Sequence, residues 1–375
     1  MKIDFVNARV VREGAEDTHP LSISDGIVSS KTMGRSVDLS GYTILPGIID
    51  LHGDGFERHV APRRGVMKQM TEGLLSVEAE LAANGITTAY LAQFMSWEGG
   101  VRGPEFAARV MSALAELRDQ PLVDMRGQLR LEIHLLECYT ALPEQLADWG
   151  VRYVVFNDHL PHDRLAEGRK PPRLTGQALK AGRNPDVHFQ MLLDLHSRRD
   201  AVPPALDALC AQLRAQGVQM GSHDDATPQG RARWLARGVP IAEFPETQAA
   251  AAEAGGPVVL GAPNVVRGGS HKGNVSALDL VAMGYCDALA SDYHYPSPRR
   301  AALMLADAGI LSLPEAWGLI SSNPAQIMGL DDRGDLSPGQ RADLVILDDT
   351  RRVALTLCAG VVRYMSGEIA ERFAS

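Results

Sequence analysis

The sequence is poor in cysteine, and the few cysteines it has are far apart. Cys138, Cys210, Cys286 and Cys358 are the only four among 375 residues, and they form no C-x-x-C pair. This spacing favours neither a zinc knuckle nor a disulfide framework. We therefore expect reduced thiols in the core of a cytoplasmic protein.

The sequence also lacks a surplus of basic residues and a long apolar run. The formal net charge is −9 and the pI is near 5.7, which disfavours a general nucleic-acid-binding protein because phosphate neutralisation needs a basic face. No window approaches the roughly 20 apolar residues that span a bilayer. The N-terminus alternates like a strand and has no signal-peptide cleavage site. We expect neither nucleic acid nor a membrane as a partner.

Short β-like pieces at both ends of the chain enclose a longer segment in which strands and helices alternate. We predict a small composite β domain from residues 1–45 and 338–375. Residues 46–337 contain eight strand candidates: YTILPGIIDLH, ITTAYLAQF, QLRLEIHLLE, VRYVVFNDH, VQMGSHDD, VPIAEFPE, GPVVLGAPN and CDALASDYH. Alternating strands and helices imply a parallel sheet, so the predicted class is α/β with a (β/α)₈ TIM-like barrel. Residues 160–215 read as an insertion after the fourth strand, suited to a lid or a substrate clamp.

Side chains suited to metal binding follow the predicted strands. His52 and Asp54 end strand one and lie on one side of it, because alternate residues of a strand share a face. The remaining candidates end other strands: Glu137 (strand three), His159 (four), His223 (five) and Asp292 (eight). Without a cation, so many buried charges would be costly. Imidazole and carboxylate donors predict one or two divalent ions, zinc before manganese or iron.

Three other residues received separate interpretations. Glu243, near the end of strand six, is left open between a ligand, a carboxylate that orients a ligand, and a substrate-binding residue. His134 is interpreted as a hydrogen-bonded barrel residue in the middle of strand three. His188 is interpreted as part of an amphipathic helix face in VHFQMLLDLHSRR.

Basic residues follow two of the predicted strands. Arg58, His59 and Arg63 come after strand one. Arg267, His271 and Lys272 come after strand seven in NVVRGGSHKGN, whose glycines let backbone amides approach an anion. We predict that His59, Arg63, Arg267, His271 and Lys272 bind a phosphorylated substrate. The alternative is a solvated turn whose charges only aid solubility.

These motifs resemble the amidohydrolase superfamily. The matching segments are ILPGIIDLHGD, ALASD and SNPAQIMGLDDRGDLSPGQRADLVILD. More narrowly, DLHGDGFERHVAPR, GSHDDAT, IAEFPET, GAPNVVRGGSHKGN and SSNPA resemble the alpha-D-ribose 1-methylphosphonate 5-triphosphate diphosphatases of phosphonate degradation. His52-Gly53-Asp54 replaces the commonest H-x-H of the superfamily, and the diphosphatases resemble this chain there. Gly53, Gly55 and Phe56 differ from their best-known members.

The resemblance implies a metal-dependent hydrolase that acts on a small phosphorylated sugar. A water activated by the metal would attack phosphorus, Asp292 would be catalytic by holding its proton, and the products would be the 5-phosphate and pyrophosphate. Two alternatives stay open: a C–N hydrolase such as an adenine deaminase or N-acyl amino-sugar deacetylase, and a non-enzymatic scaffold. The sequence also leaves open whether the chain forms a homo-oligomer.

Overall fold

The structure, a computed structural model, describes residues 1–12, 14–62, 69–120, 122–268 and 275–374. The strands are β1 (Lys2–Val6), β2 (Arg9–Arg12), β3 (Ala15–Asp17), β4 (Leu21–Ser24), β5 (Ile27–Ser29), β6 (Ser36–Asp38), β7 (Thr43–Pro46), β8 (Ile48–Gly53), β9 (Ile86–Met95), β10 (Asp124–Glu132), β11 (Tyr153–Asn157), β12 (Gln219–His223), β13 (Ile241–Glu243), β14 (Val258–Gly261), β15 (Ala288–Ala290), β16 (Leu344–Leu347), β17 (Val353–Cys358) and β18 (Val361–Met365).

The α-helices are α1 (Glu57–Val60), α2 (Met70–Ala83), α3 (Pro104–Leu117), α4 (Leu142–Trp149), α5 (His162–Ala166), α6 (Leu174–Lys180), α7 (Pro185–Ser197), α8 (Val202–Ala215), α9 (Pro228–Ala236), α10 (Gln248–Ala252), α11 (Ala262–Arg267), α12 (Ala277–Ala282), α13 (Ser297–Asp307), α14 (Leu313–Gly318), α15 (Ser322–Ile327) and α16 (Ile369–Ala374). Short 3₁₀ helices span Gly100–Arg102, Leu136–Cys138 and Arg199–Ala201. Within the described ranges, no helix has the length and apolar character that crossing a bilayer requires.

Strands β8 to β15 form one parallel sheet in which neighbours in space are also neighbours in sequence. An isolated parallel bridge joins Gly53 of β8 to Asp292, just after β15, so the first and last strands meet. Helices separate most of the successive strands and pack outside the sheet, as parallel crossovers require. The predicted (β/α)₈ barrel is confirmed.

Two further sheets lie outside the barrel, and one of them combines strands from both ends of the chain. The N-terminal strands form a four-stranded sheet in the order β5-β4-β1-β6. A six-stranded sheet in the order β18-β17-β16-β7-β2-β3 joins the two ends, and β16 pairs antiparallel with β7. The predicted pairing of the termini is therefore confirmed, whereas domain boundaries at 45/46 and 337/338 stay a prediction.

The run YTILPGIIDLH, predicted as one strand, is two strands in different sheets. Strand β7 belongs to the six-stranded sheet and β8 to the barrel, with Gly47 between them. The N–H of Gly47 donates to the carbonyl of Asp343 at 2.9 Å. A Cβ at position 47 would lie 2.2 Å from Thr87 Oγ1, so only glycine fits where the chain changes sheet.

The stretch after barrel strand four is helical. Helices α5, α6 and α7 precede α8, which leads into β12. The predicted helix in VHFQMLLDLHSRR is confirmed as α7, which begins after Asn184, whose side chain accepts hydrogen bonds from the N–H groups of Asp186 and Val187. His188 is fully buried on this helix, as its interpretation requires. The insertion therefore has its own secondary structure at the barrel mouth.

Arg231 on α9 links the strands that end near the barrel mouth. Its guanidinium is fully buried and donates to five acceptors: Ser222 Oγ (2.5 Å), Asp225 Oδ2 (3.3 Å), and the carbonyls of Ala254 (3.0 Å), Val239 (2.7 Å) and Pro240 (3.0 Å). Ser222 belongs to β12, and residues 239–240 lead into β13. One buried side chain therefore fixes two adjacent strands.

Replacing Arg231 by Met should lower the free energy of unfolding by about 3–5 kcal/mol, because the change leaves Asp225 and several carbonyls buried without their donor. Urea unfolding followed by circular dichroism measures the loss. Arg233→Met is the matched control, because Arg233 is exposed on the same helix and should change stability by less than about 0.5 kcal/mol. Equal stability of the two variants would contradict this role for Arg231.

Candidate metal centre at the barrel mouth

Backbone pairing between the first and last barrel strands brings three predicted ligands together. The N–H of Asp292 donates to the carbonyl of His52 at 2.8 Å, and the N–H of Asp54 donates to the carbonyl of Asp292 at 2.9 Å. One donor atom from each of His52, Asp54 and Asp292 lies within 4.8 Å of the other two. Closure of the barrel therefore assembles this group.

Glu243 orients His52 from the end of barrel strand six. Its Oε2 lies 2.7 Å from His52 Nδ1, while its Oε1 accepts hydrogen bonds from Gln128 Nε2 (2.7 Å) and the hydroxyl of Tyr153 (2.5 Å). Burial alone would raise the pKa of Glu243, but the charge of His52 and these hydrogen bonds hold that pKa below its ordinary value. Of the three roles left open for Glu243, the structure favours the carboxylate that orients a ligand.

The other ring nitrogen of His52 supports a metal-binding role. His52 is fully buried, and its Nε2 has no hydrogen-bond partner among the described residues. With Nδ1–H donating to Glu243, Nε2 carries the lone pair, which is the arrangement of a metal-bound histidine supported by a carboxylate. An imidazole with two neighbouring aspartates is a donor set that a divalent cation fits.

A second group of donors lies beside the first. It contains His159, His223 and Asp224, whose donor atoms lie within 4.8 Å of one another. The ring centroids of His52 and His223 are 5.4 Å apart, so His223 belongs to the second group and also lies next to the first. Glu132 Oε1 lies 2.5 Å from His159 Nδ1 and fixes that ring. The two groups together have donors for a second ion.

Arg130 is a cation that the sequence analysis missed. Its side chain is almost fully buried; Nη2 lies 3.0 Å from His223 Nε2 and Nη1 lies 3.8 Å from Asp54 Oδ2. The guanidinium carbon lies 3.9 Å from the ring centroid of Phe94, a cation–π contact that helps to hold a desolvated charge. A signal was available, because polar residues occupy every second position of the strand, at 124, 126, 128, 130 and 132, and alternate residues face the same side.

Burial and neighbouring charges shift the proton affinities of the site. Burial, followed by the charge of Asp54, raises the pKa of Asp292 to about 6. Burial, followed by the charge of Arg130, lowers the pKa of His223 to about 4. Burial opposes the charged form of His159, but hydrogen bonds to Asp224 and Glu132 outweigh it and raise its pKa to about 9. Without a bound ion, these surroundings favour a neutral His223 and a protonated His159, and His159 must release its proton to act as a ligand.

The backbone is strained where the strands end. Asp224, Phe244 and Asp292 have φ angles of 59°, 53° and 53°, in the left-handed region that is unfavourable for residues with a Cβ. Each directly follows or lies just beyond a barrel strand. Such conformations persist when surrounding contacts impose them, and they concentrate at functional sites.

A cavity of about 230 Å³ opens beside these groups. Its polar lining includes Arg130, His223, Asp224, Asn264 and Asp292, and Phe244 and Leu260 are among its apolar lining residues. An arginine and two aspartates therefore line the same cavity.

The structure does not bring Glu137 to the site. Strand β10 ends at Glu132, before the predicted end, and Glu137 lies on a 3₁₀ helix with its side chain 58% exposed. Leu135 and Leu136 suggested in the sequence that the strand continues to Glu137. The chain instead turns after Glu132, so Glu132 is the residue at the end of the strand. The predicted position of His134 in the middle of strand three is wrong, because His134 follows the end of β10; its Nε2 lies 3.2 Å from Asp158 Oδ1.

The predicted substrate-binding residues have different positions. His59 lies on α1, where its Nε2 is 2.6 Å from Glu80 Oε2, and it is not among the residues that line the cavity. Arg267 is exposed at the last residue of α11, three residues after the cavity-lining Asn264. Arg63, His271 and Lys272 lie outside the described residues. The substrate role of all five stays a prediction.

Comparisons with known proteins agree with the motifs. A model described as the amidohydrolase family matches residues 281–364. The chain is 33% identical over 357 residues to alpha-D-ribose 1-methylphosphonate 5-triphosphate diphosphatase of Escherichia coli (strain K12), a match that covers 91% of this chain and 93% of that protein.

Solved structures share the fold. N-acetylglucosamine-6-phosphate deacetylase from Pasteurella multocida superposes with a TM-score of 0.63 at 13% identity, over 96% of this chain and 99% of that one. A zinc-bound adenosine deaminase from Xanthomonas campestris superposes with a TM-score of 0.56 at 12% identity, over 99% and 96% of the two chains. At these identities, the likeness shows the fold alone.

Replacing Glu243 by Gln should weaken metal binding by about 10- to 100-fold, because three donors converge on its two oxygens and an amide has only one oxygen to offer. The amide N–H₂ would face either His52, whose tautomer must then change, or the Gln128 and Tyr153 donors. Elemental analysis and competition with a coloured chelator measure the change. Tyr153→Phe, which removes one donor and keeps the carboxylate, is the control and should retain near-normal affinity. Unchanged affinity in Glu243→Gln would disprove the orienting role.

Proposed function

The chain belongs to the amidohydrolase superfamily, and from that premise we propose that it hydrolyses a phosphorylated ribose. The proposed substrate is alpha-D-ribose 1-methylphosphonate 5-triphosphate or a related phosphonate ribose triphosphate. The proposed products are the 5-phosphate and pyrophosphate, so the bond that breaks is the anhydride between the α and β phosphorus atoms. The identity to the Escherichia coli diphosphatase over nearly the whole chain supports this choice.

Arg130 is the observation that carries the proposal. A chain with a net charge of −9 has a buried guanidinium in the wall of the cavity, beside His223 and Asp54. Burying a charge is costly, and a phosphate oxygen gains from a desolvated cation more than a neutral base or amide does. In this proposal, Arg267, which is exposed at the end of α11, would attract the rest of the phosphate chain.

The proposed reaction assigns a task to each group of residues. A divalent ion, most readily zinc, would be held by His52, Asp54, Asp292, His223 and His159, and when bound it supplies Lewis acidity and lowers the pKa of water. Asp292 would take the proton of the attacking water on a carboxylate oxygen. Arg130 would neutralise charge on the phosphoryl oxygens, and Phe94 and Phe244 would keep bulk water from the guanidinium and from the His52 and His223 rings.

A substrate panel tests the reaction class. The purified protein supplied with zinc or manganese should release pyrophosphate from phosphonate ribose triphosphates, and phosphorus NMR should show a 5-phosphate product. A strong chelator should abolish turnover, and added metal should restore it. The same preparation is assayed for ammonia from adenine and adenosine and for acetate from N-acetyl amino sugars. Release of ammonia or acetate without pyrophosphate would replace the proposed function by a C–N hydrolase.

Two arginine variants test the anion-binding role. Arg130→Gln should lower kcat/KM on the triphosphate by roughly 100-fold or more, about 3 kcal/mol, because a desolvated partner of the phosphate is lost. Arg267→Ala should lower it by roughly tenfold, because exposed charges are screened. Metal content should stay normal in Arg267→Ala, and Arg233→Ala, an exposed arginine on α9, is the control. Normal kinetics of both test variants on every phosphorylated substrate would remove the support for a triphosphate.

A further inference from the structure

A separate cluster of metal-type donors lies where the helical insertion meets the barrel. It consists of His134, which follows β10, Asp158, which follows β11, and His162, the first residue of α5; we name these three residues the insertion cluster. One donor atom from each lies within 4.8 Å of the other two. None of the three belongs to the two groups of candidate ligands at the barrel mouth.

The distances in the insertion cluster match those between ligands of one ion. Asp158 Oδ1 lies 3.2 Å from His134 Nε2 and 3.3 Å from His162 Nε2. Zinc binds imidazole nitrogen and carboxylate oxygen at about 2.1 Å, so two ligands at a tetrahedral angle are about 3.4 Å apart. The two measured distances are therefore those expected of ligands that share one ion, and the third pair of donor atoms lies within 4.8 Å.

His134 has no alternative partner that accounts for its position. Its side chain is 3% exposed, Nδ1 has no hydrogen-bond partner among the described residues, and the only polar contact of Nε2 there is the 3.2 Å approach to Asp158 Oδ1 within the cluster itself. A buried polar group without a partner is destabilising by about 1–3 kcal/mol. A cation bound to Nε2 removes that cost and needs no linear N–H···O geometry.

A third histidine, His196, supports His162 from the side opposite Asp158. His162 Nδ1 lies 2.9 Å from Nδ1 of His196 on α7, and the ring centroids are 5.2 Å apart. When Nε2 of His162 faces Asp158 as a ligand, its Nδ1–H donates to His196. Metal-bound histidines commonly donate their second ring N–H in this way, which fixes ring and tautomer.

We propose that His134, Asp158 and His162 bind a divalent ion of the zinc type, separate from the barrel-mouth site. Two imidazoles and one carboxylate form a set typical of zinc. Asp158 is 39% exposed and His162 is 31% exposed, so water has access to the remaining coordination position. Two ligands come from segments after barrel strands and the third from α5, so the ion fastens the insertion to the barrel mouth.

Metal stoichiometry tests the insertion cluster without reference to turnover. The metal-free full-length protein is titrated with Zn²⁺ by calorimetry, and bound zinc is counted by elemental analysis. His162→Gln and His134→Gln should each bind one Zn²⁺ fewer per chain than the unmodified protein. His196→Gln, the matched control, should keep the full number with an affinity about 10- to 100-fold weaker.

A second variant and a second readout separate this ion from those at the barrel mouth. The His223→Gln variant should lose zinc from the site at the barrel mouth and keep the zinc bound by the insertion cluster. Zn²⁺ should raise Tm less in His162→Gln than in the unmodified protein, because a ligand that binds only the folded state stabilises it. Circular dichroism confirms folding, and His162, partly exposed on a short helix, is the variant expected to fold. The same zinc number, affinity and Tm rise in folded His162→Gln as in the unmodified protein would overturn the proposal.

Discussion

The candidate site depends on the buried carboxylate of Glu243. It accepts hydrogen bonds from Gln128 and Tyr153 and holds Nδ1 of His52, so it joins barrel strands one, three, four and six at the centre of the barrel mouth. A fully buried carboxylate is stable only when its oxygens are satisfied in this way. The arrangement leaves Nε2 of His52 without a partner, which makes that lone pair available to a cation.

The closure of the barrel and the strained backbone at strand ends also fix the positions of the candidate ligands. Reciprocal backbone hydrogen bonds between His52, Asp54 and Asp292 join the last strand to the first and force Asp292 into a left-handed backbone conformation. The network fixes donor positions before any ligand arrives, and fixed donors lose little freedom on binding. Arg231, fully buried against strands five and six, adds further support through its hydrogen bonds to Ser222 and to the segment that leads into strand six.

The candidate site contains a buried positive charge although the chain as a whole is negatively charged. The protein is acidic, yet Arg130 points into the cavity, and Phe94 covers its guanidinium. The proposed hydrolysis of a triphosphate uses the buried charge of Arg130. The fold alone does not distinguish triphosphate hydrolysis from deacetylation or deamination. The proposed ion in the insertion cluster would link the barrel to α5, which begins five residues after the end of strand four. In the connecting segment, Asp158 of this cluster is adjacent to His159, a candidate ligand at the barrel mouth.

The sequence by itself determined the barrel, the joining of both termini, and His52, Asp54, His223 and Asp292 as side chains at strand ends, because hydrophobic periodicity and the order of strands are local properties. Only the tertiary structure decided that β10 stops at Glu132, leaving Glu137 exposed, that Arg130 lines the cavity, and that Glu243 contacts His52. A strand's end and a buried polar side chain's partner are set by neighbouring strands distant in sequence. The same holds for His134, because Asp158 and His162 are distant from it in sequence and come within 4.8 Å of it only in the folded chain.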